Sequence, residues 1–140
     1  MTENYKILAK YIKDLSSETP NAETYIFVKD NIAKYQLGID ITSKALKNKM
    51  IEVITKLKFE DKEENSKKSY FEIVFATIIR VDDKITEKKE LEKIILCDVQ
   101  IKIYPNLEKT FLDLLHNSGY PGIKFEKKID FEKLYNQKFN

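Results

Sequence analysis

The stretch from Ser69 to Val81 constrains this 140-residue chain most, because it is apolar on both parities. Alternate side chains of an extended strand project to opposite faces. Phe71, Ile73, Phe75 and Ile79 therefore share one face, and Tyr70, Val74, Ala76 and Ile78 the other. A strand with two apolar faces needs cover on both sides, which one small domain with few helices can hardly supply alone. The expectation is an oligomer.

Elsewhere the alternation is one-sided. Tyr5, Ile7, Ala9, Tyr11 and Leu15 oppose Lys6, Lys10, Asp14, Ser16 and Glu18, the pattern of a half-buried strand that Pro20-Asn21 ends. An irregular stretch through about Ile32 follows, carrying Tyr25, Phe27 and Val28. A second strand is expected where Ala33, Tyr35, Leu37, Ile39 and Ile41 alternate with polar residues, and a third where Ile51, Val53, Leu57 and Phe59 do. The polar link Asp61 to Lys68 is short enough to join the third strand to the two-faced run as a hairpin.

After a charged connection from Asp82 to Lys93 the period becomes helical, with Leu107, Phe111, Leu114 and Leu115 on one side. Pro105 suits the first turn of that helix or kinks one begun near Cys97; Asn117, Gly119 and Pro121 stop it. Asp130 caps a last helix, with Ile129 stapled on Leu134 and with Phe131, Leu134 and Tyr135 on its apolar side. Strands come first and helices last, without βαβ alternation. That order predicts one α+β domain over residues 1–140, built on an antiparallel sheet.

Composition narrows the function. No apolar run approaches the roughly 20 residues of a membrane-spanning helix, and Met1 to Lys10 lacks the apolar core of a secretion signal. The single cysteine, Cys97, lies among apolar neighbours and reads as a buried thiol. A cytoplasmic protein without direct membrane insertion is expected. Lysine and arginine total 25 against 23 acids, and Arg80 is the only arginine. Lysines interleaved with acids read as solvated faces, so nucleic acid is not the expected partner; a lysine-rich nucleic-acid-binding protein is the alternative from another class.

Catalytic signatures are missing. Triads and zinc sites lean on histidine or cysteine, and the chain has only His116 and Cys97, well separated. Gly38, Gly119 and Gly122 cannot build a glycine-rich phosphate loop, and the pairs Asp82-Asp83 and Glu63-Glu64 lie in polar stretches that would not raise a carboxyl pKa. The expectation is a protein without catalysis, cofactor or metal. What stands out is 8 Phe and 8 Tyr without a Trp. Tyr25, Phe27, Tyr120 and Phe125 fall in segments read as loops, where they either pin the loops to the core or form a sequence-tolerant surface for polypeptide.

The segment Tyr11-Ile-Lys-Asp-Leu-Ser-Ser-Glu-Thr-Pro-Asn-Ala22 resembles the first strand and turn of the SecB family. Tyr104-Pro105, Ser118-Gly119-Tyr120-Pro121, and Asp130-Phe131 through Leu134-Tyr135 are similar to that family's C-terminal pattern. The chain departs from it in Phe75-Ala76, where the family has a glycine pair, in lacking Cys-Pro before the long helix and prolines beyond Pro121, and in being slightly basic. The resemblance implies a four-stranded antiparallel sheet followed by a long and a short helix, assembled as a homotetramer that is a dimer of dimers. It implies an ATP-independent chaperone that binds unfolded export precursors and delivers them to the SecA ATPase. A SecB-like chaperone dedicated to an antitoxin is the rival within the family. By the same resemblance Tyr25, Phe27, Tyr120, Ile123 and Phe125 would line the polypeptide groove, and Asp14, Glu18, Tyr70 and Glu72 would dock SecA. Glu72, an acid on an apolar strand, is expected to reach the surface.

Overall fold

The computed structural model describes residues 4–63 and 67–139. Strands β1 (Tyr5–Glu18), β2 (Gln36–Ala45), β3 (Met50–Glu60) and β4 (Tyr70–Val81) form one sheet in the order β1-β4-β3-β2. Every neighbouring pair is antiparallel and no helix joins parallel strands, as the α+β reading requires; the long helix and the C-terminal helix come after β4, whereas one α-helix falls between β1 and β2. The two-faced run is β4, a central strand. Phe71, Ile73 and Ile79 point under the helices, while on the other face Ala76 is fully buried and Val74 and Ile78 are half-buried. Side chains of β1 and β3 supply that outer cover, so central position accounts for part of the double-sided pattern within one chain.

β1 does not keep a single parity. Its pairing with β4 shifts between Ile7 and Ala9 and again between Ile12 and Asp14, leaving Leu8 and Lys13 as bulged residues. Each bulge moves the following side chains to the other face. Tyr5, Ile7, Ile12 and Leu15 consequently stand opposite the helix-facing residues of β4, whereas Ala9 and Tyr11 stand opposite Ile78 and Ala76 on the outer face. The expected grouping of Tyr5, Ile7, Ala9, Tyr11 and Leu15 is thus split.

The stretch after Pro20, expected to be irregular, is helix α1 (Ala22–Asp30). Its apolar residues lack helical spacing, so periodicity gives no sign of it. The signal is the cap: Asn21 Oδ1 accepts a hydrogen bond from the Thr24 amide at 2.8 Å. A single tight turn, Ile32–Lys34, then leads into β2, which begins at Gln36 rather than Ala33. The β2–β3 hairpin turns through Asn48 and Lys49, both at positive φ (59° and 61°).

Half of the charged connection is also helical. Helix α2 (Lys88–Lys93) runs through one wide turn, Ile94–Asp98, into α3 (Val99–Asn117). Pro105 therefore lies inside a helix begun earlier, near Cys97, the second of its two expected placements, rather than in a first turn. A proline cannot donate to the carbonyl four residues back, here that of Ile101, and both residues are exposed, so water can serve that carbonyl. The wide turn is held by Gln100, which is fully buried. Its Nε2 donates to the Ile95 carbonyl at 3.1 Å, and its Oε1 accepts from Thr55 Oγ1 at 2.9 Å. One side chain thereby satisfies the distorted helix and ties it to β3. Helix α4 (Phe131–Phe139) is capped as expected, Asp130 Oδ1 accepting from the Lys133 amide at 3.1 Å. Leu134 remains 41% exposed, so the expected staple buries little of it.

The core lies between the helices and the inner sheet face. Leu57, Phe59, Phe71 and Ile73 meet Leu107, Phe111 and Leu115 of α3, and a second cluster joins Tyr5, Val53 and Ile79 to Ile95, Val99 and Ile103. Each such side chain contributes about 1.5–3 kcal/mol on leaving water. The packing fixes α3 across the sheet and hence fixes where the 118–130 connection falls.

Candidate functional site

That connection faces β2, an edge strand of the sheet, across a cleft of about 1380 Å³. Tyr35, Leu37, Ile39 and Phe59 line it from the sheet side, and Tyr120, Ile123 and Phe125 from the connection. The volume exceeds the roughly 300–1,000 Å³ of a small-molecule pocket and suits a longer ligand. The aromatic floor is interlocked. Phe125 stacks on Phe111 at 6.3 Å and meets Phe59 edge-on at 5.7 Å, while Tyr120 meets Phe71 edge-on at 5.7 Å. The backbone above is pinned by His116, whose Nε2 lies 2.9 Å from the Ile123 carbonyl.

Of the five residues expected to form a groove, Tyr120, Ile123 and Phe125 line this cleft. Tyr25 is a loop anchor instead. Its hydroxyl donates to the Gly119 carbonyl at 2.7 Å and its ring packs on Tyr120 at 5.3 Å, which clamps α1 to the end of α3. Phe27 is half-buried on α1 and outside the cleft lining. Tyr35, Leu37, Ile39 and Phe59 were legible only as strand residues. Their place in the cleft follows from β2 being an edge strand, which no local pattern reveals.

Asp14, Glu18, Tyr70 and Glu72 do fall on one face, the outer face of the sheet. Glu18 stands opposite Tyr70, Ser16 opposite Glu72 and Asp14 opposite Val74. Asp14, Glu18 and Tyr70 are exposed. Glu72 does not reach the surface as expected: it is 6% exposed, flanked by Ser16 and Lys58, and paired with Lys56 Nζ at 3.5 Å. A central strand's side chain is covered by both neighbours, and the lysine supplies the countercharge that makes burial tolerable. Farther along this face, Glu52 accepts from the Tyr11 hydroxyl at 2.7 Å and pairs with Lys13 at 3.7 Å.

The remaining candidate groups are structural. Cys97 is buried, and desolvation pushes its thiol pKa up, away from reactivity. Asp82 caps a turn by accepting from the Lys84 amide at 2.9 Å; Asp83 pairs with Lys49, whose hydrogen bond and charge hold its carboxyl below the usual range. Glu63 pairs with Lys34 at 3.3 Å, and Glu64 lies outside the described residues. Among the described residues no cluster of three His, Cys, Asp or Glu is placed to hold a metal, and no helix is long and apolar enough to cross a membrane. Among the described residues, half of the large exposed apolar side chains lie on β1, at Leu8, Tyr11, Ile12 and Leu15; the others are Ile26, Tyr70, Ile101 and Leu134.

Comparison with known proteins agrees with this architecture. The family model for preprotein translocase subunit SecB matches residues 1–140. A relative from Pelagibacter ubique (strain HTCC1062), named "Putative protein-export protein SecB", is 64% identical over 140 residues, 100% of each chain. One from Parvibaculum lavamentivorans is 26% identical over 133 residues, covering 95% of this chain and 77% of its own. Among solved structures, a SecB-like chaperone of Mycobacterium tuberculosis, in complex with a ChAD peptide from the HigA1 antitoxin, shares the fold with a TM-score of 0.61 at 14% identity. That match covers 89% of this chain and 91% of the other. A family match along the entire chain, with a relative 64% identical from end to end, shows that this protein belongs to the SecB family of protein-export chaperones.

Proposed function

We propose that this chain is a non-catalytic, ATP-independent chaperone that binds unfolded export precursors in the cleft beside β2 and delivers them to SecA in the cytoplasm. The observation that carries the reading is the pairing of an aromatic and aliphatic floor with the free edge of β2. An edge strand offers unpaired amides and carbonyls to any extended chain, and apolar walls accept its side chains without demanding a sequence. That combination suits clients that share only being unfolded. Neither process needs a nucleotide.

Delivery is assigned to the outer sheet face, where Asp14, Glu18 and Tyr70 are exposed side by side, with Glu72 acting indirectly by holding Lys56. Charge-steered docking there weakens as salt rises, whereas precursor binding by apolar area does so much less. Assembly as a dimer of dimers is supported by β1, a long edge strand whose Leu8, Tyr11, Ile12 and Leu15 are 38–45% exposed in a single chain. The antitoxin-dedicated alternative rests on a likeness of fold at 14% identity and gains no further support.

Light scattering tests the reading. A reduced, unfolded polypeptide diluted into buffer without ATP should stay dispersed in the presence of the protein and aggregate in its absence, and the protein alone should have a tetramer's mass at micromolar concentration. Equal aggregation with and without the protein refutes chaperone action. A monomeric mass refutes the assembly.

A further inference from the structure

The rim of the cleft differs in charge from the rest of the molecule. Lys29, Lys124, Lys127, Lys128 and Lys133 border it, against Glu126 and Asp130. Asp130 is already committed to capping α4. None of the five ammonium groups pairs with a carboxylate among the described residues, although lysines on the outer sheet face do, in Lys13–Glu52 and Lys56–Glu72. All five are exposed, so their charges stay solvated on flexible stems that can swing over the opening. The chain as a whole is nearly balanced, with 25 basic and 23 acidic residues, so this local excess is not a reflection of overall composition.

We infer that the cleft selects extended segments in which apolar residues are flanked by aspartate or glutamate, and discriminates against those flanked by lysine or arginine. This inference rests on the cleft being the polypeptide site. The floor provides apolar area and the edge of β2 provides backbone partners, both indifferent to charge; the lysine rim provides the preference. Like charges around an opening repel one another, and an anionic segment relieves that repulsion while a cationic one adds to it. Nucleic acid also carries negative charge. The rim, however, lacks the arginines that grip phosphate in two-point fashion, and its floor is lined by Leu37, Ile39 and Ile123 as well as by rings. Polypeptide suits that floor better.

Three fluorescent peptides of about 15 residues, long enough to extend over ~50 Å, test the inference by anisotropy. They share one apolar centre and carry serine, glutamate or lysine flanks. The serine peptide should bind. The glutamate peptide should bind about tenfold more tightly than the lysine peptide at low salt, the cumulative effect of several weak exposed pairs, and the ratio should fall towards one near 0.5 M salt, where the Debye length is only a few ångströms. Reversing the charge of the rim by Lys124→Glu, Lys127→Glu and Lys128→Glu together should invert the ratio, with far-UV circular dichroism verifying the fold. Serine-peptide binding with equal affinity for the two charged peptides overturns the charge selection and leaves the polypeptide site standing. Binding of none of the three overturns both. An oligothymidylate that displaces the glutamate peptide at micromolar concentration overturns the inference in favour of nucleic acid.

Discussion

Replacing Gly119 with alanine places a methyl carbon where the backbone φ is +107° and where the nearest atom, Tyr25 Cε1, lies 2.5 Å away. Two costs follow. The backbone conformation disfavours any L side chain by about 1–2 kcal/mol. The ring of Tyr25 must also move, losing its hydrogen bond to the Gly119 carbonyl, worth about 1 kcal/mol, and part of its packing on Tyr120, worth about 0.5–1.5 kcal/mol. Together these lower stability by about 3 kcal/mol, which urea denaturation followed by far-UV circular dichroism would resolve at a single protein concentration. The two terms separate in a double variant. In a Tyr25→Ala background the ring is gone, and Gly119→Ala should cost only the backbone share, about 1–2 kcal/mol. Because Gly119 begins the connection that lines the cleft, the single variant should also bind unfolded polypeptide less tightly. A Gly119→Ala protein that unfolds within about 0.5 kcal/mol of the parent would refute the clamp between α1 and α3.

Gln100→Leu should cost about 2–4 kcal/mol by stranding Thr55 Oγ1 and the Ile95 carbonyl, and adding Thr55→Val should recover part of that loss in a double-mutant cycle of urea midpoints. Lys49→Gly should stabilise the β2–β3 turn by about 0.5 kcal/mol in the same assay, since φ there is 61° and the exposed ion pair to Asp83 contributes little. Desolvation raises the phenol pKa values of Tyr35, Tyr104 and Tyr120. Their stabilisation should be fully present below pH ~10, where unfolded tyrosine is also protonated, and should be lost as pH rises from there through the folded values, checked by urea midpoints across alkaline pH. Asp14→Ala with Glu18→Ala should weaken SecA binding by about tenfold in low salt while precursor binding is unchanged, both read by titration calorimetry.

How much of this was legible in the sequence varied with the range of the interaction involved. The period of two along β2, β3 and β4, the helical period from Leu107 to Leu115 and the cap at Asp130 are local, so the chain carries them without reference to its fold. The motifs in Tyr11–Ala22 and Tyr104–Pro121 are equally local, and they sufficed to point to the family and its α+β architecture. Helix α1 was missed because its sign is one capping side chain, Asn21, rather than a periodic face. Tertiary structure decided the rest. The bulges at Leu8 and Lys13 exist only in the pairing of β1 with β4, and they choose which of the β1 side chains face the helices. Glu72 is buried because β1 and β3 flank it and Lys56 neutralises it, although a lone acid on an apolar strand is expected to reach water. Tyr25 became an anchor because Gly119, 94 residues away in the chain, offers its carbonyl at 2.7 Å. The cleft, with its aromatic floor and lysine rim, gathers residues from three separate stretches of the chain, 29–39, Phe59 and 119–137. Periodicity and capping depend on neighbours within a few positions, whereas burial, charge pairing and concavity depend on which distant surfaces the fold brings together.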